Sequence, residues 1–347
     1  VTRSLVTGGS GYFGSLLVRM LRDRGHQVRV LDLHDADDRP VDVELVQGDV
    51  RHLGTVRAAC DGVDLVFHNV AQVPLARDPE LLRTVNVEGT RLVLQAARDA
   101  GVAKVVHTSS SAVFGVPAAN PVRPDTVPAP REAYGAAKLA AEQVCHEAAV
   151  SGLDVSIVRP RTILGHGRLG IFGILFDWIA DGADPFVLGR GDNRYQFVHA
   201  DDLARACVLA AEHPGPATFN VGTDRFGTMR EALTHLCEHA GTGSQVRSLP
   251  RRPAELAMRA AAALRLAPFA PYHWLMYGNS MWFDVDHVVR ALGWEPRYSN
   301  DEMLAESYDW FVAHRNDPHQ ESHHRRPARQ GALRVLKRAT RLLPAAR

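Results

Sequence analysis

The sequence predicts an α/β protein built on a doubly wound parallel sheet, followed by a smaller, mostly helical domain. Three observations carry that expectation. Short apolar runs alternate with helical patterns through the first half of the chain, a glycine-rich turn separates the first run from the first helix, and the alternation breaks after Pro160. Parallel strands need a crossover between them, usually a helix, so such alternation builds a sheet with helices on both faces. Ligands of these sheets bind beyond the carboxyl ends of the strands, which makes the residues following each strand the informative ones.

The first strand is the run Leu5-Val6-Thr7. Gly8-Gly9-Ser10-Gly11-Tyr12-Phe13-Gly14 follows at once, and Phe13 to Leu21 has helical spacing through Leu16, Leu17, Met20 and Leu21. Strand, glycine turn and helix in that order make a cradle for a dinucleotide diphosphate. Gly8 permits the tight turn, Gly11 lets the backbone approach the phosphates, and Gly14 lets the helix lie against its strand. The N–H groups at the helix start, around Tyr12 and Phe13, then face the negative charge. A tight strand–helix turn can also need glycine for steric reasons alone. The second run, Val28 to Leu31, weighs against that plainer reading, because it ends in Asp32, an acid about twenty residues on, as a ribose-binding carboxylate should be.

Runs at Val43–Val46, Leu65–His68, Lys104–Thr108 and Val155–Val158 continue the sheet, with helices expected over Glu80–Ala100 and Arg131–Ser151. Gly165 to Gly173 reads as a mobile loop over the site. Tyr195–Val198, Asp201–Glu212 and Ala217–Val221 look like a late return to the sheet. The expected division is residues 1–162, with 193–223 returning to them, as a dinucleotide-binding domain. Residues 163–192 and 224–314 form a substrate domain, and 315–347 a polar linker and basic tail.

A hydrophobic content of 46% with 23% charged residues suits an ordinary globular core, and no apolar run reaches the roughly 20 residues of a membrane span. With the first strand starting almost at Val1, no signal peptide is expected. Cys60, Cys145, Cys207 and Cys237 have neither metal nor redox spacing, so reduced, mostly buried thiols in a cytoplasmic protein are expected, and no metal site. The net charge is +1, but residues 322–347 hold eight Lys and Arg and no acid, leaving about −7 on the rest. That mildly acidic body is a poor partner for nucleic acid.

Two segments fit one reaction. Thr108-Ser109-Ser110-Ser111 follows a strand, and Tyr134 and Lys138, four apart, share one face of the helix that follows a proline-rich loop. A lysine beside a tyrosine favours phenolate. Such a tyrosine can take a proton from a substrate hydroxyl, or return it, at neutral pH. Ser110 can hydrogen-bond the same oxygen as it becomes a carbonyl, while hydride passes to a nicotinamide cofactor. Singly these signals are weak, since serines after a strand are more often caps or turns. Their order behind a dinucleotide cradle is what gives them weight.

With these residues in view, the chain resembles the extended short-chain dehydrogenase/reductase superfamily, and within it the NAD-dependent epimerase/dehydratase family, over nearly its whole length. The matching segments are Thr7–Gly14, Asp32, Gly48–Val50, His68–Ala71, Asn86–Thr90, Thr108–Gly115, Tyr134–Lys138, Arg159-Pro160, Phe197–Leu203 and Phe219–Gly222. The resemblance implies a Rossmann fold, NAD as cofactor and a homodimer. It implies that Asp49 and Val50 hold the adenine and that Asn69, Val70 and Ala71 line the cofactor. Asn86 is placed near the ribose or the helix start, Thr108 near the nicotinamide, and Pro160 among the cofactor-binding residues. Ser110, Tyr134 and Lys138 would be catalytic, the last two also touching cofactor. Asp32, with no arginine beside it, favours NAD over NADP, since a carboxylate would repel a 2′-phosphate.

Departures from the family pattern bear on substrate. The 4,6-dehydratases have Asp-Glu where this chain has Ser110-Ser111, which argues against water elimination. Sugar-nucleotide epimerases usually carry Phe-Asn at Arg161-Thr162, the asparagine contacting the diphosphate, and have Arg-Asp-Phe where this chain has Arg194-Tyr195-Gln196-Phe197. These changes resemble the 3β-hydroxysteroid dehydrogenase branch. The expected activity is hydride transfer at a secondary alcohol, most often in this family a nucleotide-sugar epimerase. The alternatives are a 3β-hydroxysteroid-type dehydrogenase or ketoreductase acting on an apolar alcohol, or an NAD-binding protein without turnover.

Other residues are read more plainly. His166 reads as a solvated loop histidine, with substrate contact as the alternative, and His199 as a cap or brace for the helix at Asp201-Asp202. Pro268–Tyr277 with Trp282-Phe283 is either an apolar substrate wall or packing of the small domain. In the tail, Gly331–Leu343 places Ala332, Val335, Leu336, Ala339 and Leu343 on one helical face and Arg334, Lys337, Arg338 and Arg341 on the other. Such a segment docks on its own domain or a second subunit, lies on an anionic membrane surface, or stays disordered.

Overall fold

The computed structural model describes residues 1–73, 78–167, 169, 171–264 and 275–315. Its strands are β1 (Arg3–Thr7), β2 (Gln27–Asp32), β3 (Glu44–Gln47), β4 (Leu65–His68), β5 (Lys104–Thr108), β6 (Val155–Pro160), β7 (Thr162–Leu164), β8 (Phe186–Leu188), β9 (Phe197–His199), β10 (Ala217–Val221) and β11 (Arg247–Leu249). Seven of them form one sheet in the order β10-β6-β5-β4-β1-β2-β3, with every neighbouring pair parallel. The order reverses between β1 and β4, and ligands bind at such a switch point.

Side chains alternate across the sheet with period two. Leu5, Leu31, Val66, Val105 and Ile157 face one layer and Val6, Val30, Phe67, Val106 and Val158 the other, so each strand feeds two cores. On the first face lie α2 (Leu53–Cys60), α4 (Gly89–Asp99) and α5 (Ala133–Val150). On the second are α1 (Tyr12–Asp23) and α7 (Ala200–Glu212). This is the doubly wound α/β fold that the alternation predicts.

Three departures have local causes. The helix expected over Glu80–Ala100 is α3 (Pro79–Arg83), a π turn (Thr84–Glu88) and then α4. At that turn Gly89 lies so close to Val50 that a Cβ would sit 2.9 Å from its Cγ2, and π turns often mark functional positions. Second, β9 does not return to the main sheet. After β6 the Arg161 N–H donates to the Val221 carbonyl at 2.9 Å, the chain leaves the sheet, and β7 pairs with β9 in a separate two-stranded ladder. Third, the glycine stretch read as a loop to Gly173 is already α6 (Phe172–Ala180) in its last residues.

Beyond the sheet, β8 pairs with β11, and α8 (Met229–Ala240), α9 (Arg251–Ala263), α10 (Asp286–Leu292) and α11 (Asn300–His314) complete the described chain. Capping boxes start α8 at Thr228 and α11 at Ser299. All four cysteines are free and buried, and burial pushes the Cys60 thiol up to about 11 and those of Cys207 and Cys237 to about 12. Among the described residues no helix is long and apolar enough to cross a membrane. Most of the aromatic stretch (residues 268–274) and the amphipathic tail lie outside the described residues.

Candidate active site

The glycine turn has the geometry its spacing predicts. Gly8 has φ +72°, its N–H donates to the Leu31 carbonyl at 2.8 Å, and the Gly11 N–H donates to the Gly8 carbonyl at 3.1 Å. A Cβ on Gly14 would lie 2.0 Å from the Gly8 carbonyl oxygen, so only glycine lets α1 seat there. Gly9 is equally constrained, since a Cβ would lie 2.5 Å from Val30 Cγ2. The three-glycine spacing overlooks it, and the Gly-Gly pair was the available signal. The Ser10 N–H donates to Asp32 Oδ2 at 3.1 Å, tying the turn to the carboxylate that ends β2. Tyr12 and Phe13 stand in the first turn of α1, with the Tyr12 ring buried among Leu16 and Ala200. Its ring packs in that small cluster, while its backbone stands at the start of α1 beside the glycine turn.

The opposite wall follows β4. The Asn69 N–H donates to Thr7 Oγ1 at 3.1 Å, the Val70 N–H approaches the same oxygen at 3.4 Å, and Asn69 Oδ1 accepts from Thr108 Oγ1 at 2.5 Å. Asn86 clamps the end of this loop past Ala71, accepting the Gln72 N–H at 2.7 Å and donating to the Gln72 carbonyl at 3.1 Å. A buried chain holds these parts together. Thr90 Oγ1 donates to the Asn86 carbonyl at 2.7 Å, so it accepts from His68 Nε2 at 2.9 Å, and His68 Nδ1 accepts from Thr7 Oγ1 at 2.8 Å. Burial, with the Lys138 charge adding to it, lowers the His68 imidazole to about 3, so this relay is neutral. Nothing in local spacing marked Thr7, His68 and Thr90 as one network.

Asp49 and Val50 lie at the end of the crevice beyond β3. The Asp49 carboxylate takes Arg51 Nε and Nη2 at 2.9 and 2.5 Å, bonds that hold its pKa below the ordinary range. Val50 is buried against Gly89.

Beyond β5, Ser110 caps a short 3-10 turn (Ser111–Phe114), its Oγ accepting the Ala112 N–H at 3.2 Å. The first turn of α5 is pressed onto that turn, because a Cβ on Gly135 would lie 2.4 Å from the Ala112 carbonyl oxygen. Glu132 caps α5 through the Tyr134 and Gly135 N–H groups at 2.8 and 2.6 Å. One turn on, Lys138 is fully buried, and its Nζ donates to the Thr108 carbonyl at 2.8 Å. Burial lowers its ammonium to about 8, with Cys145 and Glu142 opposing.

Glu142, another turn along the same face, was not singled out in the sequence. Its carboxylate takes Arg159 Nε and Nη2 at 2.8 and 2.6 Å and the Ser109 hydroxyl at 2.5 Å, all buried. The ion pair thereby locks α5 to β5 and β6 and sets where Tyr134 and Lys138 stand. Pro160 closes β6 beside Val221.

His166, His199 and Glu306 bring three metal-type donors within 4.8 Å of one another. The hydrogen bonds assign them another part. His199 Nδ1 accepts the Asp201 N–H at 3.1 Å, capping α7, so its Nε2 carries the proton and donates to Glu306 Oε2 at 2.9 Å. A metal at Nε2 would displace that proton while Nδ1 remained occupied as an acceptor. His166 Nδ1 pairs with Glu306 Oε1 at 3.0 Å, so Glu306 joins the loop after β7 and the start of α7 to α11.

The turn fits a dinucleotide by its own chemistry. A bare-backbone cradle closes at Gly8, Gly11 and Gly14, an acid stands at the end of β2, and two buried polar atoms beside the turn, Ser10 Oγ and Asn69 Nδ2, have no hydrogen-bond partner among the described residues. A profile of the NAD dependent epimerase/dehydratase family matches residues 4–222, from β1 through β10. The chain belongs to that family.

As a family member it is an enzyme of the extended short-chain dehydrogenase/reductase type. It is 49% identical to an uncharacterized protein, y4nG, of Sinorhizobium fredii, over 99% of this chain and 88% of that one. It is 31% identical to a UDP-glucose 4-epimerase of Mycolicibacterium smegmatis, over 89% of this chain and 98% of that one. A 3β-hydroxysteroid dehydrogenase/Δ5→4-isomerase of Mycobacterium tuberculosis is 30% identical over 90% of each chain. The solved UDP-glucose 4-epimerase of Thermotoga maritima, with UDP-glucose, has the same fold, with a TM-score of 0.76 over 90% of this chain and 99% of that one at 23% identity.

Proposed function

We propose that this family member transfers hydride reversibly at a secondary alcohol carbon, with Tyr134 as the proton-handling residue, and that its substrate is a nucleotide-linked sugar which it epimerises. The observation that carries the reading is the buried Lys138 ammonium, held by the Thr108 carbonyl one helical turn from Tyr134. NAD, when bound, supplies the hydride acceptor and donor. The glycine turn would hold its diphosphate, Asp32 its ribose, and Asn69, Val70, Ala71 and Thr108 the wall beside it.

Lys138 has three N–H donors, and one is spent on Thr108. The remaining charge, buried with Lys138, favours phenolate at Tyr134, which then accepts the substrate hydroxyl proton. Ser110, at the end of the neighbouring strand, steadies the same oxygen as it becomes a carbonyl. Glu142, bonded to Arg159 and Ser109, fixes the helix that carries Tyr134 and Lys138 against the ends of β5 and β6.

A second reading, net oxidation of an apolar alcohol, is favoured by Thr162 and Arg194. Thr162 Oγ1 is engaged with the Tyr195 hydroxyl at 2.9 Å, and Arg194 lies over the Phe226 and Trp282 rings at 4.9 and 4.8 Å. The Thr162 hydroxyl is thus turned to Tyr195. Stoichiometry separates the two readings. An epimerase converts UDP-glucose to its epimer without net NADH, whereas a dehydrogenase acting on a 3β-hydroxysteroid forms one NADH per product.

A further inference from the structure

Arg161 follows β6 at the carboxyl end of the sheet, one strand across from Thr108–Ser111, and is 1% exposed. Two contacts fix its guanidinium. Nη1 donates to Ser111 Oγ at 2.9 Å and lies 3.2 Å from Met281 Sδ. The Tyr195 and Phe283 ring centroids stand 4.8 and 5.8 Å from its central carbon. None of these neighbours carries negative charge.

Nε and Nη2 are buried and have no hydrogen-bond acceptor among the described residues. These two nitrogens share one edge of the guanidinium, the edge that takes both oxygens of a carboxylate side by side. Elsewhere in this chain the same edge is used that way. Arg159 meets Glu142 at 2.8 and 2.6 Å, Arg22 meets Asp42 at 2.9 and 2.7 Å, and Arg83 meets Glu80 at 3.0 and 2.8 Å. A buried guanidinium with that edge unpaired is costly to keep. Here it is also pre-oriented, by Ser111, the residue after Ser110, on one edge and by rings against it.

We propose that Arg161 receives a carboxylate of the substrate, so that the alcohol oxidised at this site is an acid whose carboxylate lies near the reacting carbon. The proposal rests on the hydride-transfer reading above for where that carbon sits. A diphosphate, with oxygens turned in several directions, matches one buried planar edge less well than the two coplanar oxygens of a carboxylate. Arg161 is thus a specificity residue, touching substrate but moving no proton or hydride.

The test uses the full-length, NAD-loaded protein and two matched pairs of probes. One pair is UDP-glucuronic acid and UDP-glucose; the other is a 3β-hydroxysteroid with and without a 4α-carboxylate. Calorimetry reads binding, and NADH and epimer formation are followed in parallel. Wild type should bind the acid of at least one pair about 10- to 100-fold more tightly than its neutral partner, the scale of a charge-assisted bidentate contact. Arg161→Met should bring the two within about 3-fold, and Arg161→Lys should retain only part of the preference, because an ammonium lacks the paired edge. Unchanged melting temperature and NAD affinity confirm that the variants are folded, and if Arg161→Met is not, Arg161→Lys decides alone.

Equal affinity for acid and neutral alcohol in wild type, a preference that survives substitution, or binding of none of the four probes overturns the proposal. Turnover of the neutral alcohols without any acid preference would leave the hydride-transfer reading standing and remove only the carboxylate site. An acid preference that depends on Arg161, with neither NADH nor epimer formed, would do the reverse.

Discussion

Lys138 Nζ donates to the carbonyl of Thr108 at 2.8 Å, which joins the second turn of α5 to the carboxyl end of β5 and buries an ammonium one helical turn from Tyr134. The bond passes from the helix that carries Tyr134 to the strand end that leads into Ser110. Tyr134→Phe removes only the phenolic oxygen and leaves this frame intact. It should keep the melting temperature and NAD affinity and lower kcat by about 10² or more, the scale of lost general acid–base catalysis. Steady-state turnover beside a cofactor titration checks it, and near wild-type kcat would take Tyr134 out of the mechanism.

The buried Glu142–Arg159 pair makes a stability prediction. Glu142→Ala leaves a guanidinium without its partner and should cost about 3–5 kcal/mol. Chemical denaturation measures this directly. A loss below about 1 kcal/mol, the worth of a surface pair, would mean the network does not brace the site.

How much of this was legible in the sequence depends on the range of each interaction. Gly8, Gly11 and Gly14 act through neighbours within one turn, so their spacing carries their function, and Asp32 ends its strand at the distance the turn requires. The strand end at Thr108 follows from its apolar run, whereas the run ending at Val158 stops two residues short of the end of β6 at Pro160. Glu142, Thr90 and Gly135 were not legible, because their partners, Arg159, His68 and Ala112, are brought near by sheet order rather than by spacing. The same holds for β9, whose partner β7 is settled by where the chain leaves β6. His199 was readable as a cap, but its link through Glu306 to His166 spans over a hundred residues.

The proposed preference for NAD rests on Asp32, held at the turn by the Ser10 N–H. Asp32→Ala should weaken NAD binding and narrow its advantage over NADP. Titration of both cofactors against both proteins decides it, and tighter binding of NADP by the wild type would contradict the assignment.

The His166–Glu306–His199 bridge predicts a pH window. Hydrogen bonds from His166 and His199 depress the Glu306 carboxyl from 4.5 to about 2. Its stabilisation is therefore present above about 4.5 and lost as pH falls through about 2. Glu306, with Asp201 adding and burial and Arg19 opposing, raises His166 above 6.5, so that contribution is complete below 6.5 and lost as pH rises through the raised value. The melting-temperature gap between wild type and Glu306→Gln should therefore be widest between pH about 4.5 and 6.5 and shrink on either side. A gap independent of pH would show that the bridge carries no charge.

The central claim is that hydride leaves a carbinol carbon at the site framed by Ser110, Tyr134 and Lys138. Single-turnover experiments with the NAD-loaded protein test it most directly, using UDP-glucose and UDP-glucuronic acid deuterated at C4 and a 3β-hydroxysteroid, with and without a 4α-carboxylate, deuterated at C3. The account predicts that at least one of them passes its deuterium to the nicotinamide, returned to carbon in an epimer or retained as reduced cofactor, at a rate that Tyr134→Phe cuts by about 10². Deuterium lost to solvent, or left in place on all four alcohols, would contradict it.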